Sequence, residues 1–373
     1  MSHRVTLEIN LDKLENNFKT IIERVVPARV MAVIKANAYG LGVQQAAAVL
    51  KNAGASFFGV ADINEAMEIA HHGLSVQVLG NLFEDEIPDA VRIDLICPLN
   101  DFKTASLIND EAKKQNKIIR GALTIDSGMG RIGMVADTAF EEICRIKNEL
   151  KNIEIFGIYS HFATSWKLDD DYTFGQIAKL KKIYDKLQAA NIDIPYIYIG
   201  ASGGIANYKE CFTPPFNLVR AGINMYGFCD SWQLDEVAML KAKLISVREL
   251  PANSSIGYNR LHTLRKKSLI GTIGAGYADG IPLALSNRGY VLVNGVLCPI
   301  VGRISMDYTT VLLDNVPEAK VGDEVVLFGK QQNSELSIRQ WSDAKGTHLH
   351  DILCSIGPRV RRIYKSNKNG IQK

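Results

Sequence analysis

Apolar and polar positions along the first 230 residues follow two alternating rhythms. Short β-rich runs occur at 30–34, 57–61, 76–79, 93–97, 122–125, 155–160, 196–199 and 218–223. Helical stretches lie between most of them. Leu11, Leu14, Phe18, Ile21 and Ile22 recur on one face of an amphipathic helix, and Ile177, Leu180, Ile183, Tyr184 and Leu187 repeat that spacing. Eight strands alternating with helices predict an α/β architecture, a (β/α)8 TIM barrel. A doubly wound open sheet is the competing arrangement.

After about residue 235 the rhythm changes. Alternating runs at 242–247, 269–273, 290–293, 309–313 and 324–328 are separated by Gly, Asn and Pro turns, and Asn294-Gly295 is a hairpin signal. This half reads as a mostly antiparallel β domain. The alternating stretch Val5-Thr6-Leu7-Glu8-Ile9 precedes the first helix and can join that sheet. The expected division is a barrel over 10–234 and a C-terminal β domain over 235–373, with the strand in 1–9 added to it. There is no internal repeat and no low-complexity tract.

Composition narrows the class. Hydrophobic residues make up 47% and charged residues 22%, ordinary for a soluble globular enzyme. With 43 basic and 40 acidic residues the net charge is +3, too balanced to imply nucleic acid as a partner. The basic residues Arg359, Arg361, Arg362, Lys365 and Lys368 read as a solvated C-terminal tail. Six scattered cysteines, five of them in apolar surroundings, have no metal-binding or disulfide rhythm, so a reducing compartment is expected. No leader and no membrane-length apolar run is evident, and the protein is expected to be cytoplasmic.

The chemistry begins at Ala32-Val33-Ile34-Lys35-Ala36-Asn37-Ala38-Tyr39-Gly40-Leu41-Gly42. An apolar strand ends in a lysine, followed by a tyrosine and two glycines. Desolvation at a barrel mouth disfavours the charged ammonium and makes the amine nucleophilic. A lone lysine in this position more often snorkels out of a strand end. The whole string, however, resembles the pyridoxal 5′-phosphate lysine motif of the alanine racemase family. The resemblance implies that Lys35 bonds covalently to the cofactor and that Tyr39 contacts its phosphate.

Further segments resemble that family in the same order. Asp126-Ser127-Gly128-Met129-Gly130-Arg131 is similar to the loop whose arginine grips the substrate carboxylate, a task suited to a planar guanidinium fork. Ser160-His161-Phe162-Ala163 implies a histidine against the pyridine ring. Ser202-Gly203-Gly204 resembles the phosphate-binding turn. In Val219-Arg220-Ala221-Gly222-Ile223, the arginine is implied to face the pyridine nitrogen, with Gly222 and Ile223 offering N–H groups to the phosphate. An arginine cannot accept the pyridine proton, so the nitrogen stays unprotonated and carbanion delocalisation into the ring is limited. Finally, Gly276-Tyr277-Ala278-Asp279-Gly280 and Gly302-Arg303-Ile304-Ser305-Met306-Asp307 resemble the segments that supply a second catalytic base, Tyr277, and a substrate contact at Met306. By that resemblance both reach the site of a partner subunit, which implies a head-to-tail homodimer.

Lys35, Asp126 with Arg131, His161, Ser202 and Arg220 all fall at or just after predicted strand ends, where barrel enzymes place their active sites. The implied reaction is interconversion of L- and D-alanine by Lys35 and Tyr277 acting from opposite faces, with no metal. The implied role is D-amino-acid supply for the cell wall. Unperturbed Tyr titrates near ~10 and Lys near ~10.4, so the site must lower at least one. Three positions depart from the family pattern. Thr124 stands where a lysine commonly supports the arginine, Tyr198 replaces a histidine beside Arg220, and His350 stands where a tyrosine narrows the pocket. Serine, or a broader range of amino acids, is therefore a rival substrate. A decarboxylase on the same scaffold would place a carboxylate at the pyridine nitrogen. A non-catalytic cofactor-binding protein would lack the β domain.

Overall fold

The computed structural model describes residues 3–229 and 232–367. The chain forms two compact units, Lys13–Ala38 with Val43–Asp235, and Met1–Asp12 with Tyr39–Gly42 and Glu236–Lys373.

The first unit is built on eight parallel strands: Arg29–Val33, Phe57–Val60, Val76–Val78, Cys97–Leu99, Ile119–Asp126, Ile153–Tyr159, Tyr196–Tyr198 and Leu218–Ala221. The eighth pairs with the first, which continues to the second and third, and the fourth pairs through the fifth and sixth to the seventh. Two seams close the ring. Gln77 bridges Ile96 in parallel, while the N–H groups of Asn217 and Arg220 donate to Ile197 O (3.1 Å) and Gly200 O (2.8 Å). The result is a barrel, as the strand–helix alternation predicts, not an open sheet. Met31, Ile96, Ala122, Phe156 and Leu218 are among the side chains that fill it. The helix Leu11–Val25 buries Leu14, Phe18 and Ile21 as its spacing predicts, leaving Ile22 half-buried. In Asp171–Ala189, Ile177, Leu180, Ile183 and Leu187 are buried, and the Asp170 side chain caps the start by accepting the Thr173 N–H.

Two strand expectations shift. The run at 93–97 is a strand only from Cys97, because Ile93 caps the helix Ile87–Arg92 and Asp94 turns left-handed (φ 60°) before the chain enters the barrel. The eighth strand ends at Ala221, since Gly222 and the 3-10 turn Ile223–Tyr226 leave the sheet.

In the second unit, Val5–Asn10 runs antiparallel to Ala238–Leu250 and parallel to Arg361–Lys365. Ala238–Leu250 continues the sheet antiparallel to Glu324–Gln331 on one side and to Ser268–Ile273 on the other. The hairpin Tyr290–Val293/Val296–Pro299 turns at Asn294 (φ 49°) and Gly295 (φ 78°), two left-handed residues whose twist matches the strands. The expected solvated basic tail is corrected here. Arg361–Lys365 is a sheet strand, Lys365 meets Glu8 at 2.6 Å, and Arg362 donates to the carbonyls of Ile356, Gly357 and Val360. Glu8 pairs with the Lys365 charge and backbone carbonyls take up the Arg362 donors, so these side chains are tied to the fold. Lys368 lies outside the described residues.

None of the six cysteines is in a disulfide. Cys97, Cys211, Cys229 and Cys298 are buried, Cys144 is half-buried and Cys354 is exposed. Among the described residues no helix is long and apolar enough to cross a membrane.

Candidate active site

Within the barrel unit, the first strand leads straight into an unusual backbone. Past Val33 and Ile34, Lys35 opens a turn in which Ala36, Asn37 and Ala38 all sit near φ 51–52° and ψ 50°, and Tyr39 follows at φ 57°. Left-handed conformation costs a residue such as alanine about 1–2 kcal/mol, so something must hold this segment. Glu65 does part of it: one carboxylate oxygen accepts the Ala36 N–H (2.6 Å) and the other the Ala61 N–H (2.8 Å). Asn37 Oδ1 accepts the Val43 N–H (2.8 Å), and the Ala38 N–H donates to Ile34 O (2.9 Å).

Arg131 lies on the exposed loop after the fifth strand. Thr124 is buried, and its carbonyl packs so closely on Gly133 (φ 111°) that a side chain there would come within 2.7 Å. The loop draws its order from Asp126, whose carboxylate accepts the N–H groups of Gly128 (2.9 Å) and Gly130 (3.1 Å). Partial burial pushes this carboxyl up, but N–H groups from Gly130, Gly128, Met129 and Arg131 outweigh it and leave the pKa below the usual carboxylate value.

His161 follows the sixth strand. Burial, reinforced by the charges of Arg220, Arg131 and Lys35, drives its imidazole pKa down to about 2, so it is neutral at physiological pH. Its carbonyl accepts from Gln176 Nε2 (2.9 Å), and its Nδ1 lies 3.4 Å from the Arg220 guanidinium. Arg220 is buried in the eighth strand and donates to the carbonyls of Ser160 and Ile199. Its guanidinium stands over the rings of Tyr159 (5.1 Å) and Tyr198 (5.6 Å), which stack on each other 7° from parallel. Tyr198 donates to Gln77 Oε1 (2.7 Å) inside the barrel, and burial raises its pKa well above 10. Ser202, Gly222 and Asn224 form a closed set between the seventh and eighth strands: Ser202 Oγ donates to Asn224 Oδ1 (3.0 Å) and accepts the Gly222 N–H (3.1 Å).

In the second unit, Tyr277 and Met306 come together. The N–H groups of Tyr277 and Ala278 donate to Ser305 O (3.0 Å) and Met306 O (3.1 Å). Arg359 locks the pair, with a two-pronged contact to Asp279 (2.7 and 2.9 Å) and a third bond to Asp307 (2.9 Å). Against the same loop rests a tyrosine that sequence reasoning passed over. A side chain at Gly257 would come within 2.8 Å of Arg303 N, which packs the turn carrying Tyr258 on residues 302–303. Gly257 (φ 72°), Asn259 (φ 58°) and Arg260 (φ 50°) are all left-handed there. Tyr258 is 68% exposed, against 42% for Tyr277 and 52% for Met306. Its sequence signal was faint, a Gly-Tyr-Asn turn between two short strands. Tyr39 and His350 also meet, their ring centres 5.7 Å apart. Among the described residues no group of three or more His, Cys, Asp or Glu side chains is arranged to hold a metal ion.

Residues 9–230 match the family model for the alanine racemase N-terminal domain, and 237–364 that for the C-terminal domain. The chain belongs to the alanine racemase family. Alanine racemase 2 of Caldanaerobacter subterraneus subsp. tengcongensis is 35% identical over 368 residues, covering 96% of this chain and 94% of that one. The alanine racemase structure from Clostridium difficile 630 superposes with a TM-score of 0.91 at 31% identity, covering 100% of this chain and 98% of that one. The Bartonella henselae alanine racemase with covalently bound pyridoxal phosphate superposes at 0.88 and 29% identity, covering 98% and 100%. Alanine racemases are pyridoxal 5′-phosphate-dependent isomerases. The barrel mouth fits that group: Arg220 Nε and Asn224 Nδ2 are buried donors without partners among the described residues, and both flank the Ser202–Gly222 turn in sequence or space.

Proposed function

We propose that this chain interconverts L- and D-alanine with pyridoxal 5′-phosphate held in the barrel mouth. The observation that carries the reading is the buried, unpartnered Nε of Arg220, a donor suited to an unprotonated pyridine nitrogen. Lys35 would bond to the cofactor, His161 would lie against its ring as a neutral imidazole, and Tyr39, Ser202, Gly222 and Ile223 would hold its phosphate. When bound, the cofactor withdraws electrons from the substrate α-carbon and makes its proton acidic.

The chain's own groups do the rest. Arg131 grips the substrate carboxylate through its guanidinium fork, steadied by the Asp126 loop, and the backbone at Met306 of the partner subunit would supply a second contact. Lys35 Nζ takes or returns the α-proton on one face. A tyrosine contributed by the partner subunit would serve the opposite face. Tyr277 is the base expected from sequence, and Tyr258 is the alternative on the same loop cluster. The geometry favours Tyr258. Its phenol is the more exposed, and its turn is strained at Asn259 and Arg260, as backbone often is at functional sites. The backbone of Tyr277 instead forms an ordinary capped 3-10 turn.

Exposed large apolar side chains support a homodimer with shared sites. Tyr258, Leu261, Leu283 and Met306 crowd the loops of the second unit, while Trp166, Leu168 and Tyr172 stand out on the barrel unit. Exposed apolar side chains mark contact surfaces where they form a contiguous patch. Six cysteines without a disulfide among them favour a reducing cytoplasm, and D-alanine for the cell wall is the expected output. His350 beside Tyr39 favours a second reading, serine as an additional substrate, because an imidazole offers a polar partner to a hydroxyl. α-Proton exchange in deuterated water across a panel of L-amino acids tests both. Exchange at alanine is expected to lead, with serine within about 10–200-fold. Absence of exchange at alanine overturns the reading.

A further inference from the structure

We propose that Glu65 is a positioning residue for Lys35, holding the left-handed turn that fixes where the lysine leaves the barrel. The inference rests on the reading of Lys35 as the cofactor lysine. Three consecutive residues after Lys35 occupy a left-handed backbone region, which Asn37 tolerates but Ala36 and Ala38 avoid. Ala36 and Asn37 are exposed, so packing does not hold them there. The restraint on Ala36 is the Glu65 carboxylate.

That carboxylate spans the exits of two adjacent barrel strands. One oxygen takes the Ala36 N–H beyond the first strand, and the other takes the Ala61 N–H beyond the second. Those strands pair up to Val33 and Gly59, just before the two bonds. Glu65 is itself seated, because the helix Ile63–Ile69 is capped by Asp62, which accepts the Glu65 N–H at 3.0 Å. Strand exit, helix cap and carboxylate therefore form one continuous support under Lys35. Without it the strained turn relaxes toward ordinary backbone and carries the amine away from its working position.

The test compares full chains in which pyridoxal phosphate binding is titrated by absorbance and alanine turnover is measured alongside. Glu65→Gln turns an N–H2 toward one of the two donors. Cofactor affinity and kcat are expected to fall about 10–100-fold. Ala36→Gly alone should stay near wild type, and adding it to Glu65→Gln should recover most of the loss, since glycine adopts this conformation without strain. Unchanged affinity and rate in Glu65→Gln, or no recovery in a folded double variant, overturns the proposal. Should Glu65→Gln fail to fold, hydrogen exchange on the wild-type holoenzyme decides: protection of the Ala36 amide is expected, and exchange at a free-peptide rate overturns it. If Lys35→Ala keeps the cofactor's visible absorbance, the reading of Lys35 itself falls instead.

Discussion

The guanidinium of Arg220 lies 5.6 Å from the centre of the Tyr198 ring, over a phenol whose hydroxyl reaches back to Gln77 in the barrel interior. Tyr198 thus takes the place beside Arg220 without competing for its hydrogen bonds, leaving Nε free for a ligand. Tyr198→Phe keeps the ring under the cation but leaves Gln77 Oε1 unmet. A loss of about 1–3 kcal/mol in urea unfolding is expected, with cofactor affinity changed little. A large loss of affinity at unchanged stability would place Tyr198 in direct contact with the cofactor.

The two tyrosines of the second unit separate kinetically. Tyr258→Phe should suppress α-proton exchange from one alanine enantiomer far more than from the other, because it removes a base on one face only. Tyr277→Phe should slow both directions alike. Measuring exchange from each enantiomer separately distinguishes them, and the reverse pattern restores Tyr277 as the base.

Asp126 organises the Arg131 loop by collecting its backbone N–H groups, the support that Thr124 does not provide. Asp126→Ala should raise KM for alanine about tenfold or more while lowering kcat less, the signature of a carboxylate grip that has lost its footing. A fall in kcat at constant KM would contradict this role.

His161 links folding to pH. Its folded pKa of about 2 lies far below the ordinary histidine value of 6.5, so unfolding takes up a proton between those limits. The stability contributed by keeping it neutral is present above pH ~6.5 and is lost as pH falls toward 2, at about 1.4 kcal/mol per pH unit at full slope. His161→Gln should flatten the acid side of the stability profile. Urea unfolding at a series of pH values measures the slope, and an unchanged profile would show that the imidazole is not buried neutral.

Much of this arrangement is visible in sequence because it is local. Eight β-rich runs and their helical spacers announce the barrel, and Lys35, Arg131, His161, Ser202 and Arg220 each lie on a short contiguous motif. What was hidden depends on backbone conformation or on distant partners. Ala36 and Ala38 carry no side-chain signal for a left-handed turn that needs Glu65, and Asn37 is the one residue there that tolerates it. Arg359 reads as one charge in a basic tail, yet its acceptors Asp279 and Asp307 lie far away in sequence. Tyr258, the alternative base, sits in a turn marked only by Gly257 and Asn259, whereas Tyr277 lies in the longer motif Gly276-Tyr277-Ala278-Asp279-Gly280.

In the proposed reaction, Lys35 and a tyrosine contributed by the partner subunit move the α-proton of alanine. Following D-alanine formation from pure L-alanine by the purified full chain with added cofactor tests it most directly. The mixture should approach equal amounts of the two enantiomers, because they have the same free energy, and Lys35→Ala should form no D-alanine and lose the visible absorbance. Carbon dioxide release, or cofactor binding with no D-alanine formed, would contradict it.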